Sequence, residues 1–161
     1  FAGYAKEAEP KWGLIWKAAV SRTSVTESTG LTVTRNSLPI RTYFGSSSGG
    51  VTETSKNAWG TDVGYTFSVP DPWSLDPKLN PNFYKWKRDI AQSVLATAFG
   101  LPDVVWVKVL SLNETGSVKL IEGKSSAGKK VKLSGETFRS RSKLPSTWFA
   151  PTSEELVSVQ N

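Results

Sequence analysis

The chain reads as an α+β fold, a single domain in which a mainly antiparallel sheet is joined by an N-terminal helix, a central helix near 89–99 and a short helix near 134–140. Three observations carry this expectation. Two stretches space their apolar residues three and four apart, as one face of a helix does. Three segments rich in β-branched residues follow one another near the end, parted by Gly- and Asn-containing turns. A length of 161 residues is enough for one buried core and short for two.

Pro10 followed by Trp12, Ile15, Trp16 and Ala19 predicts the first helix, from about Lys11 to Thr23. The Ser/Thr-rich run from Arg22 to Thr29 then has no firm stop before Gly30. Leu31 to Thr34 and Pro39 to Phe44 read as two strands of a hairpin around Arg35, Asn36 and Ser37. Pro77 and Pro81, set among Asp76, Asn80 and Asn82, mark an irregular loop from Ser74 to Asn82 that Phe83, Tyr84 and Trp86 fold back onto the core. The central helix takes Asp89 and Gln92 as a capping box, stacks Ile90, Val94 and Ala98, and stops at Gly100 before Pro102. The meander is expected at Val104 to Leu112, Ser117 to Glu122 and Lys129 to Leu133, turning at Asn113–Gly116 and Gly123–Gly128. Ser134 caps the last helix, which runs through about Ser140 with Phe138 facing inward. The domain is expected over 1–151, with a polar tail from Thr152 to Asn161.

Composition bounds the chemistry. The chain has no histidine and no cysteine, which excludes Ser-His-Asp and Cys-His catalysis, thiol redox chemistry and the common zinc ligand sets. Any acid or base must be a carboxylate, a lysine or a tyrosine. The net charge of +6 implies attraction to polyanions, but the basic residues are spread out, with only Lys129, Lys130 and Lys132, and Arg139, Arg141 and Lys143, forming loose groups. Nucleic acid is therefore not the expected partner. No apolar run approaches the roughly 18 to 20 residues a membrane helix needs, so no membrane span is expected. The opening FAGYAKEAEP, without a methionine, suggests a piece of a longer protein.

The candidate site lies between Ile40 and Trp73. Ser46, Ser47 and Ser48 precede Gly49 and Gly50, and small hydroxyl residues beside glycine let backbone N–H groups approach a ligand closely. The competing reading is a solvated Ser/Gly loop after a strand. Tyr43, Trp59 and Tyr65, interspersed with the serines and Thr52, suit stacking and hydrogen bonding to sugar. Trp59 reads first as a core aromatic closing the loop, with stacking as the alternative. Glu53 is either a carboxylate that orients a sugar hydroxyl or a surface group bonded to a loop amide, and Asp71 before Pro72 reads as a turn former. Arg139 reads as a surface residue with a buried stem. The serines are not nucleophiles, because no base is at hand to deprotonate them.

The segments YFGSSSGGVTETSKNAWG, YTFSVPDPW, FGLP and GETFRSRSKLPSTWF together resemble the domain shared by stage II sporulation protein D and the amidase enhancers of bacterial cell-wall lysis, over roughly Phe1 to Phe149. The order Ser46-Ser47-Ser48-Gly49-Gly50-x-Thr52, then Trp59-Gly60, carries most of it. The resemblance implies an extracellular or cell-envelope protein of bacteria that binds peptidoglycan glycan strands. It also implies part of a lytic transglycosylase, whose single acid protonates the glycosidic oxygen and then deprotonates the sugar hydroxyl that closes the anhydro ring. The family's catalytic glutamate belongs to a segment that has no match here, so neither Glu7 nor Glu9 takes that role and the catalytic residue stays unassigned. Some members bind zinc around the serine motif. Gly45 stands where a ligand would be, so no metal or other cofactor is expected. The alternative implication is a non-catalytic enhancer that binds the wall and a partner amidase.

Overall fold

The computed structural model describes residues 7–45 and 47–152. Four helices and two small antiparallel sheets make up an α+β fold, as the sequence predicts. The chain divides into two compact units between Phe44 and Gly45.

The N-terminal unit holds α1 (Gly13–Thr23) and a hairpin of β1 (Thr34–Arg35) with β2 (Leu38–Pro39). The helix ends at Thr23 as expected but begins two residues after Lys11. Trp12 occupies the cap without a side-chain bond, and Gly13 N–H donates to Glu9 O at 2.8 Å. Its expected apolar seam is not a buried one, since Trp12 and Ile15 are exposed. The strands are shorter than predicted. Asn36 and Ser37 both have positive φ, 50° and 63°, which makes a two-residue turn of the kind whose twist matches paired strands and sets Arg35 opposite Leu38. Arg35 therefore belongs to the strand and not to the turn. Among the described residues of this unit, Gly13 alone is buried.

The C-terminal unit contains the core. Three strands, β3 (Trp106–Leu112), β4 (Val118–Lys124) and β5 (Lys130–Ser134), form an antiparallel meander in sequence order. Register places Val107, Val109 and Ile121 on one face, against α3 (Gln92–Phe99) and α4 (Gly135–Arg141), and Val118 joins the same core beyond the register shifts at the β3–β4 end. Leu95, Phe99, Leu101, Val104, Phe138 and Leu144 complete this layer, and the Phe99, Phe138 and Phe149 rings meet in succession at centroid distances of 5.4 and 5.5 Å. Burying each such side chain stabilises by about 1.5–3 kcal/mol. Gly123 lies within β4 rather than in the following turn, because the Phe99 ring packs on its Cα and leaves no room for a Cβ.

A serine cap and a glycine stop bound two of the helices. Ser134 caps α4 as predicted, its Oγ accepting Thr137 N–H at 3.1 Å, and Phe138 is buried. Gly100 ends α3 with φ of 65°, and Leu101 N–H returns to Ala96 O at 2.9 Å. The start of α3 differs from expectation. Ala91 stands at the cap with extended backbone, so Asp89 lies outside the helix and makes no capping box. The inward face is Leu95, Ala96, Ala98 and Phe99, while Val94 is exposed.

Between Gly45 and Ile90 the chain is mostly irregular, with α2 (Ser55–Trp59) and a 3₁₀ turn at Pro72–Leu75. Thr54 caps α2 through Asn57 N–H at 3.2 Å and Gly60 closes it with φ of 81°. Of the three aromatics expected to fold the proline-rich loop inward, Trp86 packs against the core, whereas Phe83 and Tyr84 remain exposed in part. No helix among the described residues is long and apolar enough to cross a membrane.

Candidate functional site

The Ser/Gly loop is held from below by the 3₁₀ turn. Ser48 Oγ donates to Asp71 Oδ2 at 2.7 Å, Gly50 N–H donates to Ser74 Oγ at 2.7 Å, and Asp71 N–H donates to Gly50 O at 2.8 Å. Asn80 reaches across the following turn, its Nδ2 donating to Ser47 Oγ at 3.0 Å and to Ser74 O at 2.7 Å. Asp71 is thus a turn former, and its carboxylate also anchors a serine. Downstream, Thr52 N–H donates to Val69 O at 2.9 Å and Val69 N–H donates to Thr52 Oγ1 at 2.8 Å, which ties the loop to the segment leading into Pro70.

The two glycines serve packing rather than an open backbone. Gly49 and Gly50 have φ of 75° and 107°, a region that side chains with a Cβ avoid. A Cβ at Gly49 would lie 3.1 Å from the indole of Trp148, and one at Gly50 would lie 2.9 Å from Leu75 Cδ1. The far edge of the same indole presses on Gly116, where a Cβ would lie 3.0 Å away. Trp148 is therefore clasped between the Ser/Gly loop and the β3–β4 turn. The face that the sequence offers to a ligand at Gly49 is occupied by the protein itself.

Glu53 is half-buried and fully engaged. Its carboxylate accepts from Asn57 Nδ2 at 2.9 Å, from Thr115 Oγ1 at 2.8 Å and from Ser117 Oγ at 2.5 Å, with Thr54 N–H at 3.3 Å. It meets a loop amide, as the structural alternative expects, but its main work is to join α2 to the β3–β4 turn over more than sixty residues of sequence. Ser117 is buried, and its hydroxyl is engaged by Glu53, by Asn113 Nδ2 at 2.9 Å and by Thr115 Oγ1 at 3.3 Å.

A concavity of about 1020 Å³ opens beside this scaffold. Ser47 and Gly49 line one side, Tyr84, Trp86, Arg88 and Asp89 another, and Ser146, Trp148 and Phe149 a third. Lys85, Lys87 and Arg139 add cationic groups, although Arg139 is already bound by Glu136 through two bonds of 2.9 and 2.7 Å. Glu136 raises the Arg139 pKa above its ordinary value through these bonds, so the guanidinium is a fixed cation rather than a free surface group. Asp89 is the one carboxylate among the lining residues.

Other described site residues of the C-terminal unit do not line this concavity. Ser48, Gly50, Thr52 and Glu53 shape the loop beneath it and do not line it. Trp59 is 57% exposed at the end of α2, so it does not close the core, and Tyr65 is half-buried. Tyr43 belongs to the N-terminal unit, and Ser46 lies outside the described residues. The lining groups that sequence reasoning missed are Trp86, Arg88, Asp89 and Trp148. Their signal is present in the run Lys85-Trp86-Lys87-Arg88-Asp89, an aromatic set among cations, and in Ser146-Thr147-Trp148-Phe149. Among the described residues, no group of three or more His, Cys, Asp or Glu side chains is placed to hold a metal ion. Comparison of the chain with family profiles, curated proteins and solved structures finds no match.

Proposed function

We propose that the chain is a bacterial cell-wall domain that binds the glycan strands of peptidoglycan and forms part of a lytic transglycosylase of the stage II sporulation protein D kind. The observation that carries this reading is the concavity in which Tyr84, Trp86 and Trp148 stand beside Ser47, Ser146 and Asp89. Sugar rings present an apolar face suited to aromatic stacking and an equatorial belt of hydroxyls suited to serine, carboxylate and guanidinium partners. The volume is of the order found in small-ligand clefts, which accommodates a short run of sugar units with the strand leaving at the open ends. Ser48 and Glu53 act in this reading by holding the Ser47–Gly49 edge in place.

One observation favours the non-catalytic alternative for these residues. Asp89, the single carboxylate among the lining residues, is exposed, whereas glycoside cleavage relies on a carboxyl in an enclosed setting. In the transglycosylase reading the acid comes from outside the concavity. In the enhancer reading none is needed, and the cleft positions a partner amidase on the wall.

Ser47→Trp tests the assignment, because it puts an indole at the rim of the cleft, whose floor is Leu95, Val107, Ile121 and Phe138 of the core. Wild-type protein is expected to co-sediment with peptide-stripped glycan strands, and Ser47→Trp to lose at least tenfold in affinity while keeping the wild-type melting temperature. Undiminished binding by the folded variant would remove the cleft from consideration. Because the family's catalytic glutamate has no match here, release of anhydro-ended products, measured by mass, is tested on a longer parent protein carrying that segment, and decides between transglycosylase and enhancer.

A further inference from the structure

Trp148 lines the cleft, but the β3–β4 turn that holds it there does not. The hold acts at two levels. Thr147 O accepts Val118 N–H at 2.8 Å, which pins the backbone just before the tryptophan. Gly116 then meets the six-membered ring so closely that a Cβ there would stand 3.0 Å from it. Gly116 has φ of 99° and its N–H donates to Asn113 O at 2.9 Å, so bare backbone reaches the ring from within a tight turn. The residues on either side of it, Thr115 and Ser117, both give their hydroxyl protons to one carboxylate, that of Glu53, at 2.8 and 2.5 Å.

We propose that Glu53 is a positioning residue of the cleft: through Thr115 and Ser117 it sets how the Trp148 indole stands in the cleft wall, and so how tightly a sugar strand is gripped, without meeting the strand itself. The choice of a sugar strand as ligand rests on the function proposed above. Glu53 does not line the cleft, so its effect on binding must pass through other groups. A carboxylate has two acceptor oxygens and no proton, which suits it to receive two hydroxyl protons at once. Ser117 is buried and its Oγ already accepts from Asn113 Nδ2, so Glu53 is the partner to which its proton goes.

The other end of the indole explains why a movement of the turn is passed on. A Cβ at Gly49 would stand 3.1 Å from the five-membered ring, so the Ser/Gly loop packs as closely there as Gly116 does at the six-membered ring. Close packing at both ends leaves the ring little slack to absorb a shift of Gly116. Removing the carboxylate frees Thr115 and Ser117, the turn relaxes, and the indole tilts in the wall it forms. A stacking platform that tilts loses contact with the apolar face of a sugar.

The test uses the full chain labelled with fluorotryptophan, in which each indole gives its own fluorine resonance. Trp148→Phe identifies the Trp148 signal and Trp106→Phe that of Trp106, whose ring lies under Lys130. Glu53→Met, of similar length but without acceptors, is expected to move the Trp148 resonance, leave that of Trp106 in place, and weaken binding of peptide-stripped glycan strands at least fivefold. Thr115→Val, which keeps the shape and loses the hydroxyl, should do the same at least twofold, and it carries the test should Glu53→Met not fold. Because both act through one bond, the double variant should bind no more weakly than Glu53→Met alone. Asp103→Asn is the matched control, since Asp103 also ties down a hairpin turn, accepting Ser126 N–H at 3.0 Å, and it should change neither the Trp148 signal nor the affinity. A general loss of stability would instead move Trp106 and Trp148 together, so that pattern, an unmoved Trp148 resonance in the folded variants, or wild-type affinity where the resonance has moved would each overturn the proposal. Failure of the wild-type chain to bind glycan would strike the cleft reading, and the fluorine shifts would still decide whether Glu53 positions Trp148.

Discussion

Ser48 has a single hydroxyl proton and two acceptors within reach, and the charged, nearer one takes it: Ser48 Oγ lies 2.7 Å from the Asp71 carboxylate. Ser74 Oγ donates its own proton to Asp71 O at 2.9 Å and accepts Gly50 N–H. The 3.1 Å separation of the two serine oxygens is then contact rather than a further bond. Because Ser74 is buried, its removal leaves Gly50 N–H with only the longer approach to Ser48, at 3.3 Å. Ser74→Ala is expected to lower unfolding free energy by about 1–3 kcal/mol, the range for a buried donor deprived of its partner. Chemical denaturation measures it, and a change within a few tenths of a kcal/mol would show that the loop is held some other way. Residue types alone single out the serine cluster as a candidate, and of its described members Ser47 lines the cleft while Ser48 does not. What could not be read there is that Asp71, Ser74 and Asn80, more than twenty residues along, determine which serine faces the cleft. That outcome is long-range hydrogen bonding, invisible to local spacing.

Among the elements, α4 depends on one atom that is absent. A Cβ on Gly135 would sit 1.8 Å from Val118 O, a distance only backbone movement can relieve. Val118 is itself pinned, its N–H donating to Thr147 O at 2.8 Å. Gly135→Ala is therefore expected to destabilise by roughly 3 kcal/mol or more, in the range reserved for overpacking and backbone displacement. A thermal melt within a degree or two of wild type would refute that close approach. The meander, α4 and the end of α3 were legible because each combines a side-chain pattern with a matching cap or turn. The start of α3 was not, since Asp89 and Gln92 satisfy the spacing of a capping box yet Trp86 and Ile90 are drawn to the core and keep the chain extended until Ala91. Helix α2 is short, and its Thr54 cap and Gly60 stop were masked by the serine-rich context that drew attention to the loop instead.

For the molecule as a whole, apolar burial is distributed very unevenly. The described core residues all lie beyond Gly45, while the N-terminal unit leaves Trp12, Leu14, Ile15, Leu31, Val33 and Leu38 exposed. Local stability follows buried contact, so opening should begin in the N-terminal unit. Limited proteolysis is expected to nick the chain between residues 24 and 44 well before any cut in 92–141, as mass spectrometry of early fragments would show. Early cleavage inside the meander would contradict this. The fold class was readable because periodicity reports which residues are apolar together. Periodicity carries no information on how much surface finally leaves water, and so the α1 seam of Trp12 and Ile15 looked like a core face.

The clasp on Trp148 has a consequence for how a guest would be admitted. One indole braces the serine edge against the β3–β4 turn, and its other surface belongs to the cleft wall. On the proposed glycan-binding reading, recognition would work on a mould cast in advance: a strand would thread into standing walls, the entropic toll of arranging them having been settled when the chain folded.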